Sequence, residues 1–249
     1  MAHNTQLIDY VKCAEVLRDS IIKVMPDSNV TIITTDMLPY GDLAPDSNWK
    51  LINDWQVYEA SPYDYTIKLE ADIFIPRSID YWWDVLKDRD VVVSTSIRNY
   101  KGDISDSKFY RKFVYDNNLP DTYNAITYFK KSNQANKFFS TVREIFENWE
   151  EIKTVLKCNR NEPATTDFVY AIACHILGVE NTTMPIFTNM SMVHMKQFVN
   201  DLLTDDWTSE MVYELLPNTF RVNTFTQKYP FHYYVKHFSS IIEDAYGTS

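Results

Sequence analysis

Apolar residues recur at helical spacing over 5–24, at Leu7, Val11, Ala14, Leu17, Ile21 and Val24. This one-sided stripe predicts an amphipathic helix, stopped by Pro26 and Asp27. The β-branched run NVTIIT, 29–34, predicts a strand. MLPYGDLAPDS carries two prolines and a glycine and predicts a loop; a short helical or irregular segment then holds Trp49 and Trp55. A strand follows over 65–75, a helix from Pro76 through YWWDVLKD, and a buried strand in DVVVSTS. Residues 99–121 are polar and aperiodic, which predicts a long loop. AITYFKK reads as a strand and 133–151 as a helix. TDFVYAIACHIL, 166–177, reads as a helix capped by Thr165, Thr166 or Asp167 and closed by Gly178. PIFTNMSMVHMK and FRVNTFTQ supply further strand segments.

Strands alternating with helices predict an α/β fold, a single domain over 1–249 with a mostly parallel central sheet flanked by helices. Only Met1 to Asn4 precede the first helix, so its first strand is expected to be short or truncated. No internal repeat, low-complexity tract or linker divides the chain.

Composition narrows the function classes. No apolar run approaches the ~20 residues that cross a bilayer, and MAHNTQLIDY lacks the basic and apolar regions of a signal peptide. A cytoplasmic protein without a membrane partner is expected. Cys13, Cys158 and Cys174 are odd in number and lack CxxC spacing, which reads as reduced thiols and argues against a zinc site. The net charge of −10 weighs against a hold on duplex nucleic acid through phosphates alone. Lys108, Arg111, Lys112, Lys130 and Lys131 form either a local basic set or a solvated face.

One segment breaks its own pattern. YTIKLEADIFIP is an apolar strand with Glu70 and Asp72 inside it. At i and i+2 of a strand both carboxylates face one side, where they raise each other's pKa unless a cation lies between them. A basic neighbour, Lys68 or Arg77, meets that need; so does Mg²⁺ or Mn²⁺, which takes one or two carboxylates and completes its shell with water and phosphate oxygens.

SPYDYTIKLEADIFIP resembles the metal-motif strand of the GT-A glycosyltransferases, with Glu70-Ala71-Asp72 in place of Asp-x-Asp. The resemblance extends along nearly the whole chain as an ordered series. HNTQLIDYVKCAEVLRDSIIKVMPDSNVTIIT is similar to the family's nucleotide-binding first unit, DTYNAITYFKKS to the stretch facing the donor sugar, EPATTDFVYAIA to the acidic helix start facing the acceptor, and YPFHYYVKHF to the C-terminal segment with a His ligand and a phosphate-binding Lys. The resemblance implies Glu70, Asp72 and His232 as ligands of Mn²⁺ or Mg²⁺. It implies Asn124 and Lys236 as donor contacts and Asp167 as the catalytic carboxylate or a sugar ligand; Lys68 is a further candidate donor contact. Asp167 alternatively serves as a first-turn acid of its helix. His3, Asn4, Thr35 and Asp36 are candidates for the nucleotide. His194 and Lys196 are candidates for the acceptor, with His194 a rival metal ligand; His237 is a weaker rival and His175 reads as structural.

The compact, Gly-poor chain also resembles small glycosyltransferases of tailed phages that modify hydroxymethylated cytosine in DNA. That likeness implies a nucleotide-diphosphate sugar donor (UDP), arabinose or glucose as the sugar, 5-hydroxymethylcytosine as acceptor and the infected host's cytoplasm as the compartment. A saccharide or protein acceptor, and a non-catalytic nucleotide-sugar-binding module, are the alternative readings.

Overall fold

The structure is a computed structural model; it describes residues 1–105, 108–159, 161–184, 190–216 and 219–246. It is a mixed α/β protein whose strands are β1 Tyr65–Leu69, β2 Ile73–Phe74, β3 Val91–Ser94, β4 Ile97–Arg98, β5 Tyr123–Lys130, β6 Met192–His194, β7 Tyr213–Leu216, β8 Thr219–Val222, β9 Phe225–Thr226 and β10 Phe231–His232. They form three sheets, in the orders β1-β5-β3, β2-β10-β6-β4 and β7-β8-β9.

The expected mostly parallel sheet is not what the ladders show. Only β4 with β6 and β6 with β10 pair in parallel; the other five ladders among the described residues are antiparallel. The longest strand, β5, runs antiparallel between β1 and β3. Its residues are nearly all buried, the polar Asn124 and Thr127 included, so both of its faces are covered although its pairing is antiparallel.

Period-2 alternation across that sheet builds the core on both faces. Val91, Val93 and Phe129 face the helices Asn133–Glu147 and Thr166–Leu177, meeting Phe138, Phe139, Val142 and Tyr170. Val92, Ile126 and Tyr128 face the other way, toward Leu17 and Ile21 of the helix Tyr10–Val24 and toward Trp82. A third cluster joins Phe74, Val193 and Phe231 to Trp207, Phe220 and Phe238, locking the second sheet to the C-terminal helix Phe238–Tyr246.

Several boundaries differ from those predicted, each for a local reason. The first helix begins at Tyr10, with the Asp9 side chain accepting from Lys12 N; Leu7 is 86% exposed and outside the stripe. The strand expected over 29–34 does not form: residues 29–33 carry no regular strand pairing, and Ala2 meets Thr34 in one parallel bridge. A groove of about 590 Å³ lies between this segment and β1. The helix after Pro76 is confined to Tyr81–Leu86, and the 99–121 stretch contains the helix Lys112–Asp116. The 133–151 helix breaks at Asn148 into Asn133–Glu147 and Trp149–Val155. FRVNTFTQ folds as the β8–β9 hairpin, with Asn223 at φ 50° in its turn. Residues 185–189, within PIFTNMSMVHMK, lie outside the described residues.

Phe138 is fully buried, its ring edge-on to Phe139 and Tyr170. Phe138→Ala is expected to lower stability by about 3–5 kcal/mol, read as a lower midpoint in urea unfolding without a change in slope.

Candidate metal and nucleotide site

The strand expected over 65–75 is interrupted at the acid pair. The chain leaves β1 after Leu69, turns through Ala71 and Asp72, and enters a different sheet at Ile73. The carboxylates therefore converge through a turn rather than through strand alternation. Backbone bonds hold the crossing from both sides: Glu70 N–H donates to Ala125 O (3.0 Å), and Tyr233 N–H donates to Asp72 O (3.2 Å). Ala71 is buried against Cys13 and Ala14 of the first helix.

His232 reaches the same point from β10, paired antiparallel with Ile73 and in parallel register with His194 of β6. Its Nε2 is 2.7 Å from Asp72 Oδ2 and 3.7 Å from Glu70 Oε2. Donor atoms of Glu70, Asp72 and His232 lie within 4.8 Å of one another. Lys236 Nζ also bonds Asp72 Oδ2.

The electrostatics follow from burial and these pairings. Burial alone would push Asp72 up, but the imidazole of His232 and the ammonium of Lys236 outweigh it and hold the carboxyl well below its usual range. Burial raises Glu70, and the imidazole of His232, 3.7 Å away, only partly opposes it. Burial would lower His232 and Lys236; Asp72 reverses both, so each is raised. Two carboxylates and one imidazole suit Mg²⁺ or Mn²⁺, hard ions that keep positions open for water and phosphate.

The three groups line a pocket of about 320 Å³ together with His3, Tyr10, Trp49, Lys50, Lys68 and Lys236. Lys50 is held by Asp42 Oδ2 at 2.6 Å and by the Ala44 and Pro45 carbonyls. His3 Nδ1 lies 2.9 Å from Thr35 Oγ1, while its Nε2 is buried without a hydrogen-bond partner. Among the candidates for the nucleotide, His3 thus lines the pocket and Thr35 supports it. Asn4 and Asp36 do not line it: Asn4 Oδ1 accepts from Val11 N (2.8 Å) at the helix start, and the exposed Asp36 accepts from Thr34 Oγ1 (2.5 Å).

Asn124 is also absent from the pocket wall. Fully buried, it donates from Nδ2 to Asp54 Oδ2 (2.9 Å) and accepts from Thr127 Oγ1 (2.9 Å). Asp54 bonds Lys68 Nζ at 2.8 Å and Tyr170 OH at 2.6 Å. Lys68 reaches the pocket as one member of this closed network. Asp167 caps a second network. Its Oδ1 accepts from Asn124 N (2.8 Å) and its Oδ2 from Arg111 Nη1 (2.7 Å), while Arg111 Nε holds Asp121 (2.9 Å). Both oxygens are engaged, so Asp167 ties its helix to β5 and to Arg111, and it does not line the 320 Å³ pocket.

His194 is not on an acceptor rim. It is buried behind His232, with the two Nδ1 atoms 2.7 Å apart. Lys196 does not line the pocket; it is half-buried, its ammonium 5.7 Å from the ring of the pocket residue Tyr234 and 6.0 Å from the Tyr110 ring. The structure adds Asp54, Arg111, Tyr170, Tyr10, Trp49 and Lys50 to the surroundings. No motif marks them, and only the fold brings them together.

Searched against family models, curated proteins and solved structures, the chain matches none.

Asp54→Ala would leave the Lys68 charge buried and unpaired. It is expected to cost about 3–5 kcal/mol in chemical denaturation, and Asp54→Ala/Lys68→Met is expected to recover much of that loss. His3 gives a pH signature. Burial is the main cause that lowers its pKa from 6.5 to about 4. Between those values the unfolded chain binds the proton and the folded chain does not, so stability falls as pH drops from 6.5 toward 4. His3→Gln is expected to flatten that part of a thermal-midpoint-against-pH curve.

Proposed function

We propose that this chain is a metal-dependent glycosyltransferase of GT-A type, moving a sugar from a nucleotide-diphosphate donor, UDP in our reading, to a hydroxyl acceptor. The observation that carries the reading is the convergence of Glu70, Asp72, His232 and Lys236 on one pocket. Glu70, Asp72 and His232 would hold Mn²⁺ or Mg²⁺. A bound divalent ion supplies positive charge against the diphosphate as it departs.

The chain's own groups divide the remaining work. Lys236 is a second positive charge within reach of the phosphates. Lys50 is held by three oxygen acceptors with its ammonium at the pocket wall. The unpartnered His3 Nε2 offers a polar contact to base or ribose, and the half-exposed Trp49 ring offers a stacking face. Asp167, fixed between Arg111 and Asn124, acts by holding the sheet end in place.

For the acceptor we favour a nucleobase hydroxymethyl group, as in 5-hydroxymethylcytosine of DNA. An aromatic platform supports this. Phe109 is 85% and Phe198 52% exposed, 6.1 Å apart, and Tyr110 stacks on Phe198. Lys196 links the platform to Tyr234 at the pocket. Exposed rings beside ammonium groups suit unstacked bases and phosphates.

Incubation with a panel of nucleotide sugars and Mn²⁺, with and without hydroxymethylated DNA, tests donor and acceptor together. A mass gain on the modified nucleoside is the expected result. Transfer only to saccharide or protein would overturn the acceptor assignment, and tight nucleotide binding without transfer would favour a binding module. Asp72→Asn is expected to cut Mn²⁺-dependent turnover by at least about a thousandfold, since the metal supplies several kcal/mol of charge stabilisation; undiminished turnover would sink the metal reading.

A further inference from the structure

We infer that His194 is a positioning residue for His232: it accepts the Nδ1 proton of His232 and so leaves His232 Nε2 as the ligand atom. The inference rests on the metal reading above and extends it to a residue behind the site.

Parallel pairing of β6 with β10 puts His194 and His232 opposite one another on adjacent strands, where facing side chains lie on one side of the sheet. Their rings stack, 4.6 Å between centroids and 28° apart. The 2.7 Å contact joins Nδ1 to Nδ1, so one nitrogen donates and the other offers its lone pair.

Ligation decides which. His232 points Nε2 at Asp72 and, 3.7 Å away, at Glu70, so Nε2 is the nitrogen open to an ion. A ligating imidazole is neutral and carries its one remaining proton on the other nitrogen. For His232 that nitrogen is Nδ1, and its bonded partner is His194 Nδ1. His194 must therefore be the acceptor, with its own proton on Nε2. The opposite arrangement would leave the ligating ring without either proton.

The fold supports this assignment. His194 is 8% exposed, and its carbonyl accepts from Asn200 Nδ2 at 2.8 Å, which fixes the backbone that carries the ring. It is removed from solvent, so water does not readily replace it as the Nδ1 partner.

The test compares Mn²⁺ affinity, read by electron paramagnetic resonance of the free ion, in wild type, His194→Phe, His194→Gln and Asp72→Asn. His194→Phe keeps a ring and removes the acceptor; it is expected to weaken Mn²⁺ binding about 10–100-fold. His194→Gln supplies a carbonyl oxygen and is expected to restore part of the loss. On wild type, ¹⁵N imidazole spectra with Mg²⁺ should show His232 protonated at Nδ1, a readout that does not depend on the variants folding. Wild-type affinity in His194→Phe, or a His232 proton on Nε2 in the Mg²⁺-loaded protein, would overturn the role of His194 alone. Failure of wild type to take up Mn²⁺, or equal uptake by Asp72→Asn, would overturn the metal reading on which it rests.

Discussion

The structure turns on the passage of the chain from β1 into β2. Within three residues, Glu70 to Asp72, it leaves one sheet and joins another. The turn at this seam borrows one further rung from the ladder on each side, Glu70 N–H to β5 and Asp72 O to the residue after β10. That double attachment brings carboxylates from β1's end, an imidazole from β10 and an ammonium from just beyond it to one place. Shifting either sheet would separate the groups, so packing of both sheets is a condition of the site.

Burying charge at this seam is costly unless each charge has a partner. The protein meets that condition three times around the sheet end. Asp72 faces His232 and Lys236, Asp54 faces Lys68, and Asp167 faces Arg111. The last two pairs have their remaining atoms bonded as well, to Tyr170, Asn124, Asp121 and Thr122. They form closed structural networks. The Asp72 group differs, because Glu70 beside it is raised by burial although the imidazole of His232, 3.7 Å away, opposes that rise. Two adjacent carboxylates that share one imidazole, on a pocket wall, separate this candidate cation site from networks whose atoms are bonded within the fold.

That distinction explains what the sequence made legible. Glu70 and Asp72 stood out because two acids interrupt an apolar run, and His232 and Lys236 only through the likeness of YPFHYYVKHF to a glycosyltransferase C-terminal segment. Helix 166–177 was readable to the residue from its cap and its glycine. The split of the 65–75 strand was not readable, since DIFIP continues the apolar pattern while joining another sheet. Asp167 and Asn124 looked functional from their place in the chain, yet their atoms are engaged with each other and with Arg111 and Asp54. Pairings 40 to 70 residues apart leave no local pattern, and the same holds for His194, whose meaning depends on the register between β6 and β10.

The overall charge of −10 says little about which acceptor the proposed activity would serve. Exposed charges separated by more than about 8–10 Å are largely screened at physiological ionic strength, so a phosphate near Lys196 responds to its neighbours and not to the sum over the chain. Around the Phe109–Phe198 platform those neighbours are ammonium groups set against rings: Lys196 over Tyr110 and Tyr234, and Lys108 6.0 Å from the Tyr115 ring. Under the proposed function, such a surface would offer a flat, anionic ligand both stacking and local charge. The acidic remainder of the molecule would limit non-specific adhesion to duplex DNA, which depends on many phosphate contacts at once. If the proposed acceptor is right, weak general attraction combined with a local aromatic contact would favour one modified base over the rest of the strand.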